Sequence, residues 1–186
     1  MSTLLLAIGL TCQHWIMLLA DVARTSKQIS ATSSRLSKVS LVADLLRQCT
    51  EQVTNGLAPA HEVGLATGYL SGSLRQRRTG IELMSLPELW TDLQPAQRAG
   101  SLDTGQVTVS ELDTVMQQAS ELGRAGSSRA RAELFLGLVD RLTPQERVFV
   151  LGLLRGGLRQ GALESVVMTA VAGDHARRGL APIPLS

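Results

Sequence analysis

Apolar residues return at every third or fourth position in one segment of this chain after another, and most of these segments open on Ser, Thr or Pro. That spacing puts them on one face of an α-helix, not of a strand. Leu18, Leu19, Val22 and Ala23 share one such face. Leu36, Val39, Val42, Leu45 and Leu46 form the next, with Thr32 or Ser33 placed to cap it. Pro59 opens a third, with Val63, Ala66, Tyr69 and Leu70 inward. In "TVSELDTVMQQASELG", Thr108 and Glu111 stand at capping-box spacing ahead of Leu112, Val115, Met116, Ala119 and Leu122, and Gly123 ends the helix. "SSRARAELFLGLVDRL" follows. "TPQERVFVLGLL" repeats the box with Thr143 and Glu146 and adds Pro144 at the first helical position. Gly156 and Gly157 stop that helix, and Ala162 to Ala172 form the last long one. Ser85 and Glu88 of "SLPELW" have the same box spacing, and Thr91 to Gln106 reads as a polar connector. "GQVTV" alternates briefly, but one short run builds no sheet. The expected fold class is all-α.

Composition agrees with this. Apolar residues make up 44% of the 186 positions and aromatics only 3%, so Leu, Ala and Val must build the interior. The net charge of +2 hides a bias: sixteen of the eighteen basic residues are Arg, against Lys27 and Lys38 alone. Guanidinium groups make forked contacts to phosphate and carboxylate oxygens, so the bias fits a polyanion partner. A GC-rich genome produces it equally well, and composition leaves both readings open.

Cys12 and Cys49 are far apart, which reads as two reduced thiols in the cytoplasm. His14, His61 and His175 lack metal-ligand spacing, and no CxxC, HExxH or phosphate-loop motif occurs, so no metal site is expected. "MSTLLLAIGL" has no basic residue ahead of its apolar run; Gln13 and His14 interrupt the run, and no Ala-x-Ala follows. Residues 1–16 are therefore expected to be an extension, non-native or without fixed structure, ahead of a folded unit beginning at Met17. No stretch approaches the roughly 18 uninterrupted apolar residues of a membrane span.

The order of features repeats. "SSRLSKVSLVADLL" from Ser33 resembles "SSRARAELFLGLVD" from Ser127, and Leu18 and Val22 match Leu112 and Met116 in the same register. In each half another helix follows, then "GSLRQ" or "GGLRQ". Two pseudo-symmetric helical halves are expected, about 17–90 and 107–175, joined by a connector 91–106 and followed by a linker 176–186.

The repeated pieces have anion-binding chemistry. A helix start carries unbonded N–H groups and partial positive charge. Ser33, Ser34, Arg35 and Lys38 make one candidate seat, and Gly126, Ser127, Ser128, Arg129 and Arg131 the other. The loops supply Gly72, Arg75, Gln76, Arg77 and Arg78 in the first half, and Gly156, Gly157, Arg159, Gln160 and Gly161 in the second, with Leu158 expected to plug inward. Serines that only cap helices, beside arginines that only face water, would have the same sequence. Catalysis lacks an inventory: no Ser/His/Asp set can be nominated. Glu111 and Asp113 are two apart on a helix and face away from each other.

These stretches, above all "LRQGALESVVMTAVA" after "VLGLLRGG", resemble the N-terminal DNA-binding domain of bacterial-type ATP-dependent DNA ligases. The resemblance runs from about Met17 to Ala172, poorly between Leu83 and Val107. It implies an all-α domain on the minor groove of nicked duplex DNA, contacting phosphates on both sides of the break, without sequence preference. It implies work in DNA replication, repair or recombination, in the cytoplasm and with the nucleoid. Sealing would need a nucleotidyltransferase domain and an OB-fold domain of the same protein, with ATP and Mg as its cofactors. The adenylated lysine of that family lies in Lys-x-Asp-Gly, and neither Lys27 nor Lys38 fits it, so this segment is expected to bind a nick and not to seal it. The rival readings are a helical protein-interaction domain with no nucleic-acid role, and RNA binding, against which the scarcity of aromatics argues.

Overall fold

The computed structural model describes residues 17–76, 78–81, 107–122, 127–156, 158 and 163–177. Among these are seven α-helices and no β-strand: α1 Leu19–Ala31, α2 Arg35–Thr54, α3 His61–Leu70, α4 Val109–Glu121, α5 Ser127–Val139, α6 Pro144–Leu154 and α7 Leu163–Arg177. The all-α expectation holds. Ser85, Glu88, the connector 91–106, Gly123 and the segment after Arg177 lie outside the described residues.

Local chemistry fixes most helix starts. Both capping boxes form: Thr108 accepts from the Glu111 amide and Thr143 from the Glu146 amide, and each Glu answers the amide of its Thr. The start of α2 differs from expectation. Ser34, not Thr32 or Ser33, is the cap, its hydroxyl accepting from the Ser37 amide at 3.3 Å. The Thr32 hydroxyl accepts from the Ser34 amide instead, at 3.2 Å. Ser34 is the last extended residue, so it alone has the first free helical amides within reach.

Leu18 ahead of α1 and Thr108 ahead of α4 are extended, and there the two segments meet. Leu18 and Thr108 form an isolated antiparallel bridge: the Leu19 amide donates to the Val107 carbonyl at 2.8 Å, and the Val109 amide to the Met17 carbonyl at 3.0 Å. The short alternation in "GQVTV" therefore serves as a two-residue clasp, not a strand. The clasp also sets Leu18 opposite Thr108, one turn away from the register that matches Leu18 with Leu112.

The helices enclose one hydrophobic cluster, in which Tyr69 and Phe135 are the largest fully buried side chains. The most extensive helix pair is α2 with α7; α1 packs on α2 and α6, and α4 on α5 and α3. Most of the predicted stripes point inward: Leu19, Val22 and Ala23 in α1, Val42, Leu45 and Leu46 in α2, Ala66, Tyr69 and Leu70 in α3, and Leu112, Met116 and Ala119 in α4 are buried, whereas Leu36, in the first turn of α2, is 83% exposed. Three carboxylates, Glu62, Asp113 and Glu146, are buried with them among the described residues. Glu62 accepts from the Met17 amide at 3.1 Å and the Ser110 hydroxyl at 2.6 Å. Glu146 accepts from the Thr143 amide at 2.7 Å and its hydroxyl at 2.6 Å. Without such donors a buried carboxylate would cost several kcal/mol.

Candidate nucleic-acid interface

The loop after α3 carries the first Leu-Arg-Gln. It leaves the helix through Gly72, whose φ of +80° is costly for any side chain. A Cβ there would also lie 3.3 Å from the Cβ and the carbonyl oxygen of Leu158. Leu158 belongs to the second Gly-x-Leu-Arg-Gln stretch, so the two stretches, far apart in sequence, touch. Leu158 packs against the core as expected, and a Cβ on Gly152 would come within 2.8 Å of it. Gly156 ends α6 with φ +61°. Gly157, Arg159, Gln160 and Gly161 lie outside the described residues, as do Gly126 and Arg77.

The loop then meets α4. Arg75 donates from Nη2 to Oδ2 of Asp113 at 2.6 Å and from Nε to Oδ1 at 3.3 Å. Gln76 donates from Nε2 to the same Oδ1 at 2.9 Å. The Arg75 side chain stays 60% exposed while its partner is 13% exposed. The hydrogen bond and charge of Asp113 raise the Arg75 pKa further above its usual range. Burial, with the Asp113 charge second, pushes the Tyr69 phenol up. The Tyr69 hydroxyl and Gln76 Oε1 are buried without a hydrogen-bond partner among the described residues. Beside this cluster a cleft of about 600 Å³ runs between α3 and α4, walled by Gly64, Gly68 and Leu74 and edged by His61, Ser73 and Arg75.

The second seat is tied to the same loop. Arg131 in α5 donates from Nε and Nη2 to the Leu122 carbonyl, at the end of α4, and from Nη1 to the Gly80 carbonyl at 3.1 Å. Ser127 is the first residue of α5, and Ser128 and Arg129 after it are exposed. Arg129 pairs with Glu133 one turn on, Nε to Oε1 at 2.8 Å. At the first seat Ser33 and Arg35 are exposed and Lys38 is half-buried. Arg35 and Arg78 have no ion pair among the described residues, and both are exposed.

Of the nominated arginines, then, Arg75 is clamped to an acid, Arg131 is latched to backbone carbonyls, Arg129 pairs at the surface and Arg35 is open. Sequence reasoning missed Asp113 as the partner of Arg75. The one signal for Asp113 was its place beside Leu112 and one turn before Met116, on the buried side of α4.

Among the described residues no helix is long and apolar enough to cross a membrane, and no three His, Cys, Asp or Glu side chains are grouped to hold a metal ion.

The family model described as DNA ligase N terminus matches residues 18–172. A probable DNA ligase of Saccharopolyspora erythraea is 40% identical over 157 residues, covering 84% of this chain and 28% of the relative. One from Beutenbergia cavernae is 38% identical over 156 residues, 84% of this chain and 27% of the relative. One from Kineococcus radiotolerans is 39% identical over 158 residues, again 84% of this chain and 28% of the relative. The chain thus spans a little over a quarter of the length of these relatives. No solved structure gives a significant match.

Proposed function

The chain belongs to the DNA ligase N-terminus family, and on that premise we propose that it binds nicked duplex DNA without sequence preference and positions the break for sealing by a nucleotidyltransferase domain outside this chain. The observation that best supports this reading is the contact between Gly72 and Leu158, one residue from each of the two Gly-x-Leu-Arg-Gln stretches. Arg35, Arg75 and Arg78 add exposed positive charge, and helix starts at Ser34 and Ser127 add free amides. Chemistry of this kind holds phosphates and ignores base identity. The two repeated halves would grip the strands on either side of the break. The whole protein would be an ATP-dependent ligase acting in the cytoplasm on chromosomal DNA. With no Lys-x-Asp-Gly here and no metal-ligand group among the described residues, ATP and Mg would act in other domains of the whole protein.

Titrating the chain into nicked and intact duplex at several salt concentrations tests the proposal. Neutralising about four to six phosphates gives a log–log slope of roughly −4 to −5. A protein-interaction domain, which the internal pairing of Arg75 and Arg129 would suit, shows no binding at low salt. Equal affinity for nicked and intact duplex would leave DNA binding standing and remove the positioning role.

A further inference from the structure

We propose that Asp113 is a positioning residue for the DNA contact: it clamps Arg75 and Gln76 side by side and so presents the unbonded edge of the Arg75 guanidinium to a phosphate. The inference rests on the duplex-binding reading above and goes beyond it by assigning a role to an acid on an interface meant for a polyanion.

The grip is side-on. Asp113 takes Nη2 through Oδ2 and Nε through Oδ1. Nη1 has no hydrogen bond among the described residues, on a side chain that remains 60% exposed. Gln76, the next residue, is held by the same Oδ1. One carboxylate on α4 thus fixes two consecutive residues of a loop that lies 37 and 38 positions away in the chain. An unheld arginine must give up its rotamer freedom when it meets a phosphate, whereas a clamped one has lost it already. Packing at the helix start does not call for an acid. Counted from the Leu18–Thr108 bridge, the position in α1 that matches Asp113 is Ala23, which is buried. Gln76 Oε1 and the Tyr69 hydroxyl, beside the clamp, are also buried without a hydrogen-bond partner among the described residues.

The sign of one substitution separates this from a merely structural acid. Asp113→Asn removes a negative charge from the interface. By charge alone it should tighten binding to DNA. If Asp113 positions Arg75, it weakens binding instead, by roughly three- to tenfold, the cost of ordering one long side chain.

The experiment measures Kd of the whole chain for a short nicked duplex by fluorescence anisotropy, over a range of KCl concentrations. The variants are Arg75→Ala, Asp113→Asn and the double variant, each shown to be folded by circular dichroism. Arg75→Ala should weaken binding and reduce the salt slope by about one. Asp113→Asn should weaken binding, and in the Arg75→Ala background, where only the lost negative charge acts, it should not weaken binding further but tighten it slightly. Arg75→Lys, which leaves Asp113 in place, keeps the charge but loses the fork. It should bind as weakly as Asp113→Asn, and it decides the matter should Asp113→Asn fail to fold. Tighter binding by Asp113→Asn, or wild-type binding by Arg75→Lys, overturns the positioning role while duplex binding stands. Unaltered binding by Arg75→Ala overturns it too, and moves the contact elsewhere. A wild-type chain that does not bind overturns both readings.

Discussion

Arg131 and Gly80 are fitted to each other across 51 positions of sequence: Nη1 of Arg131 donates to the Gly80 carbonyl, and the guanidinium lies where a Gly80 side chain would be. A Cβ on Gly80 would come within 2.9 Å of Arg131 Cζ, and the glycine has φ +65°. Gly80→Ala must therefore strain the backbone and displace the latch that joins the loop after α3 to the end of α4. A loss of about 2 kcal/mol in urea unfolding is expected. In an Arg131→Ala background the crowding is gone, and the same substitution should cost only about 1 kcal/mol. Equal costs in both backgrounds would show that the two residues act independently.

The two capping boxes should differ in strength. Thr143 gives its amide and its hydroxyl to Glu146, which is 0% exposed, whereas Glu111 beside Thr108 is partly open to water. Thr143→Ala leaves a buried carboxylate short of a donor and should cost about 2–3 kcal/mol. Thr108→Ala should cost about 1 kcal/mol, the usual price of a lost cap. Chemical denaturation of both variants compares them directly, and equal losses would contradict the burial argument.

Glu111 should make stability acid-sensitive. Partial burial raises its pKa, but the Thr108 amide and the Arg141 guanidinium lower it by more, and the net shift is downward from 4.5. Both Nη atoms of Arg141 lie 3.0 Å from Oε1. A carboxylate whose folded pKa is depressed stabilises the fold above its unfolded pKa, and that stability is lost as pH falls through the folded value. Unfolding midpoints measured from pH 7 down to about 3 should decline more steeply below pH 4.5 in the wild type than in Glu111→Gln. Parallel curves would remove Glu111 from the account.

Cys49 should be inert while the chain is folded. Burial, with the Glu62 and Asp21 charges second and third, pushes its thiol from 9.0 up to about 12. In a Cys12→Ser variant at pH 8, iodoacetamide should label the native chain far more slowly than the urea-unfolded chain. Above pH 9 the unfolded thiol ionises and the folded one does not, so stability should drop there, and the drop should be smaller in Cys49→Ala.

Among the exposed cations, Arg35→Ala and Arg78→Ala should each reduce the salt slope of DNA binding by about one while leaving the unfolding midpoint within about 0.5 kcal/mol of wild type. Arg131→Ala should do the reverse and lose stability first, because its donors already serve the Leu122 and Gly80 carbonyls. A stability loss at Arg35 would mean that it, too, holds the fold together.

Much of this was legible in the chain, and the readable part is of one kind. The helices, both capping boxes and the inward stripe of α4 rest on contacts between residues three or four positions apart, so local spacing shows them. The cap of α2 moved by one or two residues because several hydroxyls stand in a row and backbone geometry chooses among them. Ser34–Arg35 and Ser128–Arg129 are alike in sequence as anion seats. Their surroundings differ, since Arg129 has Glu133 a turn away and Arg35 has no such neighbour.

Sequence alone decided that this chain would be helical and where most of the helices would begin, because 3.6-residue periodicity and hydroxyl caps act within a single turn. Only the tertiary structure decided what the arginines do. Whether a guanidinium meets Asp113, a backbone carbonyl or water depends on which distant segment packs beside it, and a long flexible side chain carries no local sign of that choice.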